Sequence, residues 1–83
     1  MYQMPVRAIK SILKKELQDF RDGFYNAYPK FIMANVMKEM VSIAFHQLNA
    51  KLENCNSYDE LDDYISFAGY GMSLEDWINS LGD

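Results

Sequence analysis

The chain has 83 residues, of which 49% are apolar and 14% aromatic, and its formal net charge is −4. This length suits one domain with a small core and excludes two domains, while the apolar content excludes a disordered tail. All 8 basic residues lie within residues 1–51, whereas 8 of the 12 acids lie within residues 52–83. Such a split predicts either an acidic surface that faces a basic partner or attraction between the two halves.

The composition also bears on where the protein resides. Cys55 is the only cysteine, and a lone thiol is typical of a reducing compartment. The N-terminal residues contain no apolar run of the length that a secretory signal requires. The most apolar stretch, residues 31–52, is interrupted by Asn35, Lys38 and Glu39 among others, which argues against a membrane span. We therefore expect a soluble cytoplasmic protein without a membrane partner.

A first helix is predicted over residues 5–28. Pro5 suits its first position, where the missing N–H costs nothing. Apolar residues then follow at helical spacing and predict one buried face, made of Val6, Ile9, Leu13, Leu17, Phe20, Phe24, Ala27 and Tyr28. This stripe keeps its phase through Gly23, so the helix is expected to continue through that residue. Beside it lies a basic strip of Arg7, Lys10, Lys14 and Arg21.

A central helix is predicted over residues 29–53. Pro29 ends the first helix and begins this one, and so short a connection predicts an antiparallel helix hairpin. Apolar residues, Phe45 and Leu48 among them, cover an arc of roughly 220°, against about 100° for an ordinary surface helix. We expect this arc to be buried from two sides, either by residues 57–82 or by a second copy in a homodimer.

Two short helices are predicted over residues 57–68 and 73–81. Ser57 and Glu60 have the spacing of a capping box, and Ser73 begins a similar motif. The inner faces are expected to hold Tyr58, Leu61, Tyr64, Ile65 and Ala68 in the first helix and Leu74, Trp77, Ile78 and Leu81 in the second. Gly69 is the expected left-handed cap between them. The predicted fold is all-α, a small four-helix domain in which a long antiparallel helix hairpin precedes two short C-terminal helices.

The sequence contains no motif that indicates catalysis. His46 is the only histidine, and Ser42 and Glu39 share its helix face. A catalytic triad needs partners that approach the histidine from different directions, which one helix surface does not provide. There is no pair of metal-ligating residues at a recognised spacing and no glycine-rich phosphate loop. We expect no catalytic residue, no metal and no cofactor, and hence no enzyme.

The candidate site lies in the acidic C-terminal third. Capping explains Glu60 and the helix dipole favours Asp59, but neither requires Asp62, Asp63 or an outward-facing Phe67. Tyrosine and tryptophan concentrate binding energy at interfaces, and acids speed association with a cationic partner. The candidate partner-binding residues are Asp59, Asp62, Asp63, Phe67, Tyr70 and Trp77.

The favoured interpretation is a non-catalytic protein-binding domain that covers a basic surface on its partner and inhibits it. Small acidic inhibitors of nucleic-acid enzymes or toxins have this composition: phage anti-defence proteins, antitoxins or immunity proteins, and nucleic-acid mimics. This is an analogy of composition and not a family resemblance. Repulsion between three neighbouring acids further predicts that Asp62→Lys/Asp63→Lys leaves the fold intact.

Two alternatives remain. The basic strip of the first helix is a candidate nucleic-acid footprint, although the overall negative charge repels phosphate at long range. Direct nucleic-acid binding is therefore not expected. The second alternative is a structural helical homo-oligomer in which the wide apolar arc of the central helix packs against copies of itself.

Overall fold

The computed structural model describes residues 4–27 and 35–82. Within these residues the chain forms four α-helices and no strand, so the predicted all-α class is confirmed. The helices are α1 (Val6–Ala27), α2 (Asn35–Glu53), α3 (Tyr58–Phe67) and α4 (Leu74–Leu81). The predicted connection at Pro29 and the predicted start of the central helix lie outside the described residues.

The helix ends follow from local hydrogen bonding. Ser57 Oγ accepts from the N–H of Glu60 at 3.2 Å and begins α3, while Ser73 Oγ accepts from the N–H of Asp76 at 3.1 Å and begins α4. The Glu60 carboxylate accepts from the N–H of Asn56 at 3.1 Å, one residue before Ser57, whose N–H is the donor in a capping box. Gly69 follows α3 with φ +83°, the predicted left-handed conformation.

Helices α1 and α2 run antiparallel, as their contacts show. Near the start of α1, Lys10 Nζ donates to the carbonyl oxygen of Glu53, the last residue of α2, at 2.9 Å. Lys14, one turn further, pairs with the carboxylate of the same residue. Towards the end of α1, the ring of Phe24 lies 6.3 Å from that of Phe45, in the middle of α2. The start of α1 therefore contacts the end of α2, and the later part of α1 contacts the middle of α2.

The hydrophobic core lies at one end of this hairpin, where α3 and α4 pack against it. Its buried residues come from every helix and from the loop after α2: Ile9, Leu13, Leu52, Cys55, Leu61, Tyr64, Ile65, Leu74 and Trp77. Helix α1 has 22 residues and α3 has 10, which correspond to lengths of about 33 Å and about 15 Å. The short helices therefore cover only about half of the hairpin.

Apolar residues outside this covered half are exposed, contrary to several expectations. The exposed fractions are 67% for Phe20, 65% for Met40, 57% for Ile43 and 42% for Leu81. Complete burial of the α2 arc by residues 57–82 is therefore wrong, because α3 and α4 are too short to reach Met40 and Ile43. The predicted inner faces are likewise wrong at Phe20 and Leu81, which lie at the margins of the packed region.

The predicted burial in α2 is correct for one residue and partial for another. Phe45 is 9% exposed, with the ring of Phe20 at 5.8 Å and that of Tyr25 at 6.5 Å. Leu48 is only half-buried, against the edge of the core. An aromatic cluster thus covers Phe45 where α3 and α4 do not.

A matched pair of leucines tests where the core ends. Leu61→Ala should lower the free energy of unfolding by about 2–5 kcal/mol, because it removes a fully buried side chain and leaves a cavity. Leu81→Ala should cost much less, since that side chain is 42% exposed. Urea denaturation followed by circular dichroism measures both. Equal shifts of the two midpoints would contradict this description of the core.

Candidate functional site

The outer face of α3 presents acids and one aromatic ring to solvent. Glu60, Asp63 and Phe67 follow one another at i, i+3 and i+7, so they form one line along the helix. All three are exposed, and Phe67 is 61% exposed. Asp59 is also exposed, further round the same helix. The structure therefore brings together three of the six candidate residues, namely Asp59, Asp63 and Phe67.

Phe67 connects this face of α3 with the exposed face of α2. Lys51 Nζ lies 5.2 Å from the centre of the Phe67 ring, a cation–π distance worth about 0.5–1 kcal/mol at an exposed position. Met40, Ala44 and Lys51 stand at i, i+4 and i+11, on one side of α2, and Ile43 lies beside them. We call Met40, Ile43, Lys51, Asp63 and Phe67 together the α2–α3 surface.

Asp62 has a structural role that the sequence pattern does not reveal. Its Oδ1 accepts a hydrogen bond of 2.8 Å from the backbone N–H of Leu74, the first residue of α4. The carboxylate thus satisfies a helix N-terminus whose N–H groups lack partners within the helix, and its charge suits the positive end of the dipole. This hydrogen bond links the N-terminus of α4 to α3. The acids of the outer face are therefore not equivalent.

Tyr70 and Trp77 belong to the packing between α1, α3 and α4. Tyr70 is half-buried, and its hydroxyl donates to Glu16 Oε2 at 2.7 Å. Burial, and then the hydrogen bond to Glu16, raise the pKa of Tyr70 above its ordinary value. Trp77 is 3% exposed and meets the Tyr70 ring edge-on at 6.4 Å. Trp77 is thus a core residue that a partner cannot reach, and we omit both rings from the surface.

Cys55 lies beneath the junction of α2 and α3. Its Sγ lies 3.2 Å from the carbonyl oxygen of Lys51 and 3.4 Å from that of Glu60, two acceptors for the single thiol hydrogen. Burial, and then the nearby Glu60 carboxylate, raise the pKa of the thiol. A raised pKa keeps the sulfur protonated, and only the thiolate is a good nucleophile. Cys55 therefore acts as a small apolar side chain in the core.

A second feature lies on the other side of the hairpin, between α1 and α2. A partly enclosed cleft of about 260 Å³ opens there. Its lining consists of Lys14, Leu17, Gln18 and Arg21 from α1 and Ser42, Phe45, His46 and Asn49 from α2. We call it the α1–α2 cleft. Its two walls are recognisable in the sequence as the basic strip and a polar stripe, but only the antiparallel packing brings them together.

Comparison with known proteins finds no matching family model, no matching curated protein and no matching solved structure. Among the helices of the described residues, none has the length and apolar character that crossing a membrane requires. Across residues 4–27 and 35–82, no three His, Cys, Asp or Glu side chains gather in a group that could hold a metal ion. The α2–α3 surface and the α1–α2 cleft are the two candidate sites that the geometry presents.

The role of Asp62 can be tested against its neighbour. Asp62→Ala should destabilise the fold by about 0.5–2 kcal/mol, the usual cost of removing a helix-capping side chain. Asp63→Ala should stay within about 0.5 kcal/mol of wild type, because Asp63 is exposed. Asp62→Lys/Asp63→Lys should likewise be destabilised, contrary to the expectation from charge repulsion alone. Thermal unfolding distinguishes these variants, and an unchanged midpoint in Asp62→Ala would disprove the capping role.

Proposed function

We propose that this protein is a non-catalytic binding domain that covers a basic surface on a partner protein and inhibits that partner. The observation that supports this most is Phe67, an aromatic ring 61% exposed on a helix face with acids beside it. Aromatic anchors supply much of the binding energy at interfaces, and surrounding acids guide a cationic partner into place. The α2–α3 surface offers both.

The apolar face of α2 adds area to this surface. Met40 and Ile43 are more than half exposed, and contiguous exposed apolar residues mark interaction sites in soluble proteins. Lys51 lies over the Phe67 ring, where a lysine or arginine of the partner can take its place. A partner with a basic surface can thus contact the Phe67 ring, the Asp63 carboxylate and the exposed apolar side chains of α2 in one interface.

The type of partner follows from the charge. Seven acids of residues 52–82 are exposed: Glu53, Asp59, Glu60, Asp62, Asp63, Glu75 and Asp76. Basic surfaces of nucleic-acid enzymes and of nucleic-acid-cleaving toxins bind phosphate, and an acidic domain competes for the same cations. We therefore favour an inhibitor of the phage anti-defence, antitoxin or nucleic-acid-mimic type. A cytoplasmic location is part of this proposal and is supported by the buried free thiol of Cys55.

The nucleic-acid alternative has less support. A phosphate footprint needs several free cations along one face. In the basic strip, however, Lys10 donates to the carbonyl oxygen of Glu53, and Lys14 pairs with the carboxylate of that residue. Lys14 also lowers the pKa of Glu53, first through the hydrogen bond and then through its charge. The strip is thus partly neutralised by the chain itself.

Affinity capture with paired variants tests the favoured function. Wild-type protein, immobilised and exposed to a cell extract, should retain a basic protein whose activity falls when the domain is added. Phe67→Ala should raise the dissociation rate of that partner roughly tenfold or more, as loss of an anchor does. Asp63→Lys should slow association and weaken its dependence on salt. Both rates are measured by biolayer interferometry.

The control variants make the same kinds of substitution at exposed residues outside the α2–α3 surface. Met72→Ala removes another exposed apolar side chain, 43% exposed before α4, and Asp22→Lys reverses an exposed acid on α1. Both should bind as wild type does. The proposal fails if Phe67→Ala and Asp63→Lys bind no worse than these controls, or if the retained protein has no basic surface.

Self-association is the second candidate function, because Met40 is 65% and Ile43 57% exposed on one helix. If α2 pairs with a second copy, sedimentation equilibrium should report a dimer at micromolar concentration, and Ile43→Asp should make it monomeric by placing a charge in an apolar interface. Met72→Asp is the control, because it introduces the same charge at an exposed apolar residue outside α2. A wild-type monomer at all concentrations would leave the α2 face to a partner protein.

A further inference from the structure

The α1–α2 cleft has a composition unlike the rest of the molecule. The chain carries 12 acids and 8 bases, yet the cleft lining contains two bases and no acid. Each of its six polar side chains can donate a hydrogen bond: Lys14, Gln18, Arg21, Ser42, His46 and Asn49. Leu17 and Phe45 form the apolar part of the lining. A concave site made of donors around an apolar floor favours an anion with a small organic part.

The cations of the cleft differ in how far they are already engaged. Lys14 pairs with Glu53, which stands at the end of α2 and does not line the cleft. A lysine ammonium has three donors, so this bond leaves two for a ligand. Arg21 is exposed and forms no ion pair with any acid of the described residues. Its planar guanidinium is suited to binding two oxygens of one phosphate group.

We propose that the α1–α2 cleft binds the phosphate group of a small phosphate monoester. Arg21 and Lys14 neutralise the charge, the amides of Gln18 and Asn49 and the hydroxyl of Ser42 donate to the remaining oxygens, and the organic part rests on Leu17 and Phe45. The lining thus offers more than four donors to one tetrahedral anion. This goes beyond the proposed function, since it assigns a small-molecule ligand to a different face.

Size and position favour a small molecule over a nucleic-acid chain. A volume of about 260 Å³ lies just below the range of roughly 300–1,000 Å³ typical of pockets for drug-sized ligands. Lys10, one turn before Lys14 on α1, does not line the cleft and donates to Glu53 instead, and Lys15 does not line the cleft either. The cations therefore do not form the continuous track that a phosphate backbone requires.

The cleft is separate from the α2–α3 surface. Ser42, His46 and Asn49 stand at i, i+4 and i+7 on α2 and define one side of the helix. Met40, Ile43 and Ala44 lie roughly 100–160° away round the helix, at 100° per residue. Loss of binding at one site should therefore leave the other unaffected, and the two proposals can fail independently.

Titration with small anions tests the proposal. Full-length ¹⁵N-labelled protein is titrated with inorganic phosphate, with adenosine monophosphate and with acetate at matched ionic strength, and NMR shifts are recorded. Phosphate and adenosine monophosphate should give saturable shifts in the side-chain amides of both Gln18 and Asn49, on opposite walls. Acetate, which carries one charge and two oxygens, should bind at least several-fold more weakly.

Variants that change the charge by the same amount identify which side chains bind the phosphate. Arg21→Gln should weaken phosphate binding roughly tenfold, because it removes a charge-assisted pair of hydrogen bonds. Arg7→Gln removes the same charge outside the cleft. Its affinity for phosphate should stay within about twofold of wild type, because only the net charge changes. Glu53→Gln should strengthen binding, since it frees Lys14 from its counter-charge. Circular dichroism confirms that each variant is folded.

Three results would overturn the proposal. The first is the absence of saturable shifts with phosphate and adenosine monophosphate in folded wild-type protein. The second is an equal loss of binding in Arg21→Gln and Arg7→Gln, which would mean that only net charge matters. The third is tighter binding of a single-stranded oligonucleotide than of adenosine monophosphate, in proportion to its phosphates, which would assign the cleft to a polymer.

Discussion

The structure depends on a difference in length between the α1–α2 hairpin and the two short helices that pack against it. Helices of 10 and 8 residues, α3 and α4, pack across a hairpin whose helices have 22 and 19 residues. Because 10 residues of helix span only about 15 Å, the buried core is confined to one end of the hairpin. Apolar side chains beyond that end, such as Met40 and Ile43, remain exposed. The exposed apolar face of α2, which we propose contributes to partner binding, is a direct consequence of the shortness of α3 and α4.

A few long-range polar contacts hold the short helices in place. The hydroxyl of Tyr58 donates to the carbonyl oxygen of Met4 at 2.6 Å, and that of Tyr70 donates to Glu16. Asp62 accepts from the first N–H of α4 and so links α4 to α3. In a small domain with a marginal core, such contacts specify one arrangement of the apolar surfaces. They also withdraw Asp62 and Tyr70 from the set of residues available to a partner.

Local features of the fold could be predicted from the sequence, whereas the extent to which α3 and α4 cover the helix hairpin could not. Ser57 and Ser73 begin helices as their spacing predicts, because capping depends on residues within one turn. The exposure of Phe20 depends instead on how far α3 and α4 extend along α1, which periodicity does not encode. The contact between Asp62 and Leu74 spans 12 residues, and the α1–α2 cleft joins two helices. No pattern within a single helix reveals either.

The charge split of the sequence has a specific meaning in the structure. Within the described residues, the two halves form one ion pair, between Lys14 and Glu53. Attraction between the halves therefore accounts for few of the acids. On α3, Asp62 and Glu60 accept backbone hydrogen bonds, whereas Asp59 and Asp63 are exposed to solvent or to a partner. The basic cleft lies on another side of α2, a helix about 10–12 Å in diameter. Since charges are screened over about 8 Å at physiological ionic strength, we expect little electrostatic interference between the two proposed sites.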